Sequence, residues 1–181
     1  MNPSAMLRAH APAMAQPQLT RQVLEIRRES PDQPAVRALL GALDDYLGGL
    51  YEPQHNHILS VDELLSPQVF FLTARQQGRL VGCGAFRRQP GEAATVGQAY
   101  GEIKRMMVDP AVRGAGIGAA VLAELELQMA DEGLPLALLE TGAAQTQAVG
   151  LYERAGYRRR PAFAGYPDNG LSVFYEKRLD R

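Results

Sequence analysis

The sequence has one cysteine, three histidines and almost no imbalance of charge: 19 Lys and Arg stand against 20 Asp and Glu, a formal net charge of -1. Each scarcity removes a class of function. A single thiol, Cys83, excludes an intrachain disulfide and fits a reducing compartment. Set in Val81-Gly-Cys-Gly-Ala-Phe86, it reads as a small hydrophobe in a buried strand, with no neighbouring base to activate it. His55 and His57 stand two apart without a supporting Cys, Asp or third His, a poor ligand set, so no metal is expected. The near-neutral charge gives no electrostatic footprint for nucleic acid. Arg158-Arg159-Arg160 is too short a run to supply one and reads as a solvated edge beside Pro161. No apolar run reaches membrane-spanning length, and the N-terminus lacks the continuous apolar core of a signal peptide. No membrane partner is therefore expected, and the expected compartment is the cytoplasm. What is present, 181 residues of which 46% are hydrophobic, suits one domain with a respectable core.

Residues 1–18, rich in Ala, Pro, Met and Gln without periodicity, read as a mobile tail that leaves His10 no role; residues 19–181 read as the domain. Leu19 to Glu29 suggests a first strand. Ser30 to Pro34 carries cap and first-turn chemistry for a helix whose apolar face is Val36, Leu39, Leu40, Leu43 and Leu47, ended by Gly48-Gly49. A polar loop follows, then a short helix capped by Ser60 and stopped by Pro67. Val69–Arg75 and Leu80–Arg88 read as a hairpin. Leu136 to Glu140 is a short continuous apolar run, as a strand buried on both faces requires. Gln145 to Ala155 reads as a helix closed by Gly156, and two strands finish the chain. The pattern predicts an α/β fold in the order βααβββαβαββ.

The organising stretch is Tyr100 to Ala130. A strand ending Met106-Met107-Val108 is stopped by Asp109-Pro110, a glycine-rich turn runs from Arg113 to Gly118, and a helix follows in which Ala119, Leu122, Leu125, Leu127 and Met129 recur at roughly helical spacing. A first helical turn of Gly and Ala leaves its N–H groups bare, a natural site for phosphate or pyrophosphate. Two patterns fit this turn. Gly114-x-Gly116-x-x-Ala119, with Glu140 about 20 residues on, satisfies the dinucleotide-binding fingerprint. Against it, Asp109, Pro110 and Arg113 intervene between strand and glycines, and too little chain follows for a six-stranded dinucleotide fold.

Read as Arg113-x-x-Gly116-x-Gly118, the turn resembles the acetyl-CoA signature of the GNAT N-acetyltransferases. Gln145 to Tyr157, with Ala148, Leu151, Tyr152 and Gly156 in place, is similar to that family's second signature, in which Asn more often stands at the position of Gln145. Glu102 to Met106, Glu140 to Gly142 and Ser172 to Lys177 match motifs of a group of small members. The resemblance implies the GNAT fold, a mixed and mostly antiparallel central sheet flanked by helices. It implies acetyl-CoA as acetyl donor and direct transfer to a primary amine, here of a small molecule, with a homodimer common among relatives. Arg113, Gly114, Ala115, Gly116, Ile117, Gly118 and Ala119 would hold the pyrophosphate; Met106, Met107 and Val108, with Gln145, would meet the pantetheine arm.

By the same resemblance Tyr152 protonates or positions the leaving sulfur, and Glu102 is the candidate general base, directly or through a water. Each has an alternative use, Tyr152 as a core aromatic and Glu102 as the partner of Lys104 or Arg105. In simple alternation Glu102 shares a face with Lys104 and Met106, a register that a bulge would reset. Glu140 and Thr141 are expected to line the acceptor cavity, with Tyr51, His55, Asn56 and His57 as substrate readers and Phe163, Tyr166 and Asp168 in a closing loop. Other readings stay open: another acyl-CoA, a protein amine, a non-catalytic acyl-CoA-binding module on the same fold, or a nicotinamide-dependent oxidoreductase.

Overall fold

The computed structural model describes residues 23–52 and 57–179. The expected N-terminal tail, the first residues of the expected opening strand, and His55 and Asn56 lie outside the described residues. The elements are β1 Leu24–Arg28, α1 Pro34–Gly48, α2 Val61–Leu64, β2 Val69–Gln76, β3 Arg79–Gln89, β4 Tyr100–Val108, α3 Ile117–Asp131, β5 Leu136–Gly142, α4 Thr146–Arg154, β6 Arg158–Arg160 and β7 Ser172–Arg178. Their order is the expected one. Pro34 opens α1 at a position that needs no N–H. Its N-cap, Gln33, makes no side-chain cap; Asp32 instead takes the Arg37 guanidinium at 2.8 Å. The four-residue α2 exists because Ser60 and Glu63 close a reciprocal capping box. Gln77 and Gly78, both at positive φ, make the tight turn joining β2 to β3.

The seven strands form one sheet in the order β1-β2-β3-β4-β5-β7-β6. Every pairing is antiparallel except β4 with β5. One face packs under α3 and α4 around Phe86, Ile103, Ile117, Val121, Leu125 and Tyr152; the other packs under α1 and α2 around Val36, Leu40, Phe71, Ala85 and Met107. The buried face of α3 is Ile117, Val121, Leu122, Leu125 and Met129, whereas Ala119 is exposed and Leu127 is 61% exposed. This corrects the expected stripe: the helix is apolar nearly all round, so spacing alone did not choose its face.

Two irregularities in β4 make the site. The parallel ladder to β5 lasts only from Tyr100↔Leu136 to Glu102↔Leu138. Beyond it β4 stays with β3 as far as Val108, and β5 stays with β7 as far as Gly142, leaving a split between them. In addition Gly84 of β3 faces a register shift that sets both Arg105 and Met106 against it, with Arg105 at φ 56°. The extra residue resets the alternation. Met106 joins Ile103 on the α3 face, Met107 moves under α1, and Glu102 and Lys104 are left without the Met106 neighbour that strict alternation would give them. Gly84 is required there: a Cβ would lie 2.5 Å from the Met106 sulfur and 2.9 Å from Val121.

Among the described residues no helix is long and apolar enough to cross a membrane, and no group of three His, Cys, Asp or Glu could hold a metal. Cys83 is buried and free, its thiol held up at about 12 by burial.

Candidate active site

The split between β4 and β5 is a cleft. Ile103, Lys104 and Met106 wall it from β4, Glu140 and Thr141 from β5, Gln145 and Tyr152 from α4, and Tyr51 and His57 from the loop after α1. Seven of the residues singled out from sequence thus converge here: Met106, Glu140, Thr141, Gln145, Tyr152, Tyr51 and His57. Tyr51 fastens the cleft's far wall, its hydroxyl accepting the Ala144 N–H at 3.2 Å. Gly142 must be glycine for this, since a Cβ there would lie 1.9 Å from the Tyr51 hydroxyl.

Tyr152 serves core and cleft together. It is buried, edge-on to Tyr157 at 5.7 Å, and also lines the cleft. Burial, with the nearby Glu140 carboxylate adding to it, pushes its phenol well above the ordinary value, so it stays protonated. Glu140 accepts the Ser172 hydroxyl.

Glu102 sits differently from the expected base. It is 0% exposed and is not part of the cleft wall. Arg87 Nη2 and Gln89 Nε2 each donate to its Oε2 at 3.0 Å, Lys104 Nζ lies 2.7 Å from Oε1, and the Tyr166 hydroxyl donates to the same Oε1. Burial alone raises its pKa, but the Lys104 charge and hydrogen bond, then Tyr166 and Gln89, outweigh it and hold the carboxyl at about 2. A carboxylate so supplied with donors has little affinity left for a proton from an amine. The sequence hinted at Lys104 as its partner; Arg87 and Tyr166, 15 and 64 residues away, were not legible as such. Of the last loop, Phe163 is instead buried against Tyr100 and Phe174, and Asp168 is exposed.

The glycine-rich turn stands at the end of β4, separate from the cleft wall. Gly114 and Gly116 hold φ values of 84° and 79°, and a Cβ built on either meets nothing, so the space above the turn is open. Gly116 caps α3 without a side-chain bond, leaving the N–H groups of Ile117, Gly118 and Ala119 to face outward as a bare helix start. A Cβ built on Gly118 would reach ordinary contact distance of Leu151 and Val108, so α4 and β4 lie close beside the helix start. These features fit a pyrophosphate. Arg113 folds back, its Nε donating to the Val108 carbonyl at 3.3 Å. Met107 is buried under α1, so only its backbone could meet a ligand, and Val108 packs against the α3 core.

A seven-stranded mixed sheet, split in the middle and backed by a bare helix start, defines an acyl-CoA-dependent transferase rather than a doubly wound dinucleotide fold. The chain belongs to the acetyltransferase (GNAT) family, whose model matches residues 28–157. It is 43% identical over 154 residues to an IAA acetyltransferase of Azospirillum brasilense, covering 85% of this chain and 97% of that one. A crystal structure from Klebsiella pneumoniae, described as an acyl-CoA N-acyltransferase, is 36% identical with a TM-score of 0.69, covering 87% of this chain and 98% of that one. The fold is shared with the PaiA N-acetyltransferase of Thermoplasma acidophilum in complex with coenzyme A, at 19% identity and a TM-score of 0.64, covering 86% of this chain and 99% of that one. The protein is therefore an acetyltransferase, of a family whose cofactor is acetyl-CoA.

Proposed function

We propose that the chain moves the acetyl group of acetyl-CoA directly to a primary amine of a small molecule held in the β4–β5 cleft. The observation that carries this is the split itself. It brings a buried, protonated Tyr152 and a carboxylate, Glu140, to one cavity whose opposite wall is the bulged part of β4. When bound, acetyl-CoA supplies the thioester carbonyl. The α3 N-terminus would receive its pyrophosphate through the Ile117, Gly118 and Ala119 N–H groups, and free main-chain groups beside the bulge would receive the pantetheine arm.

In this reading Tyr152 gives its phenolic proton to the leaving sulfur as the C–S bond breaks and recovers one from the nitrogen of the tetrahedral adduct. Glu140, at the cleft rather than behind it, takes the proton of the incoming ammonium, and Ser172 orients its carboxylate. Glu102 is a positioning residue that holds Lys104 and Tyr166 in place. The partly enclosed cavity, with Tyr51 and His57 over it, supports a small acceptor more than a protein chain. The test is release of free thiol from acetyl-CoA by the purified chain against a panel of small amines, with IAA, the compound in the name of the Azospirillum relative, included. Amine-dependent thiol release is expected. Tight acetyl-CoA binding with no release for any acceptor would favour a non-catalytic binding module.

A further inference from the structure

One residue of the β4 bulge reaches across to the helix that roofs the cleft. Arg105 stands at φ 56°, and its carbonyl accepts the Cys83 thiol at 3.5 Å on the α1 face of the sheet. Its side chain, 4% exposed, runs under α1. Nη1 donates to Oδ1 of Asp44, and Nη2 donates to Oδ2 at 3.2 Å and to the Leu40 carbonyl at 3.5 Å. Both oxygens of one carboxylate thus meet one guanidinium, a fork that fixes direction as well as distance. Leu43 and Leu47, on either side of Asp44 in α1, line the cleft, and so does Arg105 itself. Tyr51 follows in the loop that α1 leads into.

As a source of stability this pair is poorly built. A side chain other than glycine is strained at that φ. Arg105 Nε is shut off from solvent with no partner among the described residues, which costs free energy. The Asp44 carboxylate is 45% exposed, so water screens it. It also stands with Asp45 near the C-terminal end of α1, where no basic residue in the last turn offsets the helix dipole. What the pair does supply is placement. Val36, Leu40 and Leu43 hold α1 down by apolar contact, which has no preferred direction, whereas the fork sets how the helix sits along and about its axis over β4.

We infer that Arg105 and Asp44 are positioning residues that seat α1 as the acceptor-side wall of the cleft, at a set place above the β4 bulge. The inference rests on the transfer reading above and adds to it. Asp44 lies on α1, away from the glycine-rich turn and from Tyr152, so loosening the pair weakens amine binding and leaves the donor side as it is.

The test uses Asp44→Ala, Asp44→Glu and Arg105→Gly; glycine suits the positive φ of the bulge while removing the guanidinium. Thiol release from acetyl-CoA is measured with tyramine, glucosamine, spermidine and β-alanine. For any of these that wild type turns over, Asp44→Ala should raise the amine KM about tenfold and hold kcat within about threefold, with the acetyl-CoA Kd by calorimetry within about twofold. Asp44→Glu should recover much of the KM. The double variant Asp44→Ala/Arg105→Gly should be no worse in KM than the more affected single variant, because the two residues act as one unit. A pair that only stabilised the fold would lower the melting temperature without splitting KM from Kd. An unchanged KM, or KM and Kd rising together, overturns the seating role.

Hydrogen exchange of the coenzyme A complex reads the same seat without turnover. The α1 amides should exchange about tenfold faster in Asp44→Ala than in wild type, with the α3 amides unchanged. Equal exchange in α1 overturns the seating role whatever the kinetics. A wild-type chain that binds no acetyl-CoA overturns the transfer reading, and this one with it.

Discussion

Glu102 and Glu140 are two carboxylates of one site with opposite surroundings, and their variants should fail in opposite ways. Glu102→Gln leaves Arg87 and Lys104 facing a neutral amide in a buried place, so it should lower stability by about 3–5 kcal/mol, read by denaturant unfolding. Its pH signature follows from the shift. The folded-state pKa, about 2, lies below the ordinary carboxyl value of 4.5. The stabilisation is therefore full above that ordinary value and is lost as pH falls toward about 2. Glu29, held at about 2 chiefly by its hydrogen bond to Arg75, contributes with the same sign, so the variant should flatten the acid limb rather than abolish it. Glu140→Gln should leave stability within about 0.5–1 kcal/mol and cut turnover by about a hundredfold. An undiminished rate in Glu140→Gln would remove it as the base. Tyr152→Phe, tested by steady-state kinetics and calorimetry, should cut turnover at least about tenfold while acetyl-CoA affinity holds; unchanged turnover would return Tyr152 to a purely structural use.

Among the elements, α3 and β4 carry the donor side. Gly116 stands at φ 79° with open space beside it, so Gly116→Ala meets no clash and only backbone strain, about 1–2 kcal/mol. Acetyl-CoA affinity should fall about tenfold and the melting temperature by about 2–8 °C, both measurable on one preparation. The sequence made this element legible because its punctuation is local: Asp109-Pro110 ends the strand, the glycines make the turn, and the spaced second motif places Tyr152. The order of all eleven elements follows from the same kind of signal. The bulge left no such mark. It depends on Gly84, which is 22 residues before Met106, and on crowding from Val121, and it decides which side chains of β4 share a face. Once it is in place, Glu102 falls beside Arg87 across the ladder and beneath Tyr166 from the last loop. That is why Glu102, the base the resemblance implies, stands behind the cleft wall among Arg87, Lys104 and Tyr166.

At the scale of the whole molecule, the proposed donor and acceptor sites both lie along the split in one sheet. The glycine-rich turn stands at the C-terminal end of β4, and the acceptor space opens under α1 and the closing loops. Binding that bridges β4, α3 and α4 should stabilise the fold as a unit. At a hundredfold excess over Kd, acetyl-CoA should add about 2.7 kcal/mol and raise the melting temperature by about 5–10 °C, whereas NAD should leave it unmoved. On the proposed reading, with no cysteine among the described residues lining the cleft and Cys83 buried under α1, transfer should need both substrates present together. The measurement that tests this most directly is a matrix of initial rates of thiol release, varying acetyl-CoA and an accepted amine together. The account predicts double-reciprocal lines that intersect, with no thiol released in the absence of amine. Parallel lines with a burst of thiol from acetyl-CoA alone would contradict it.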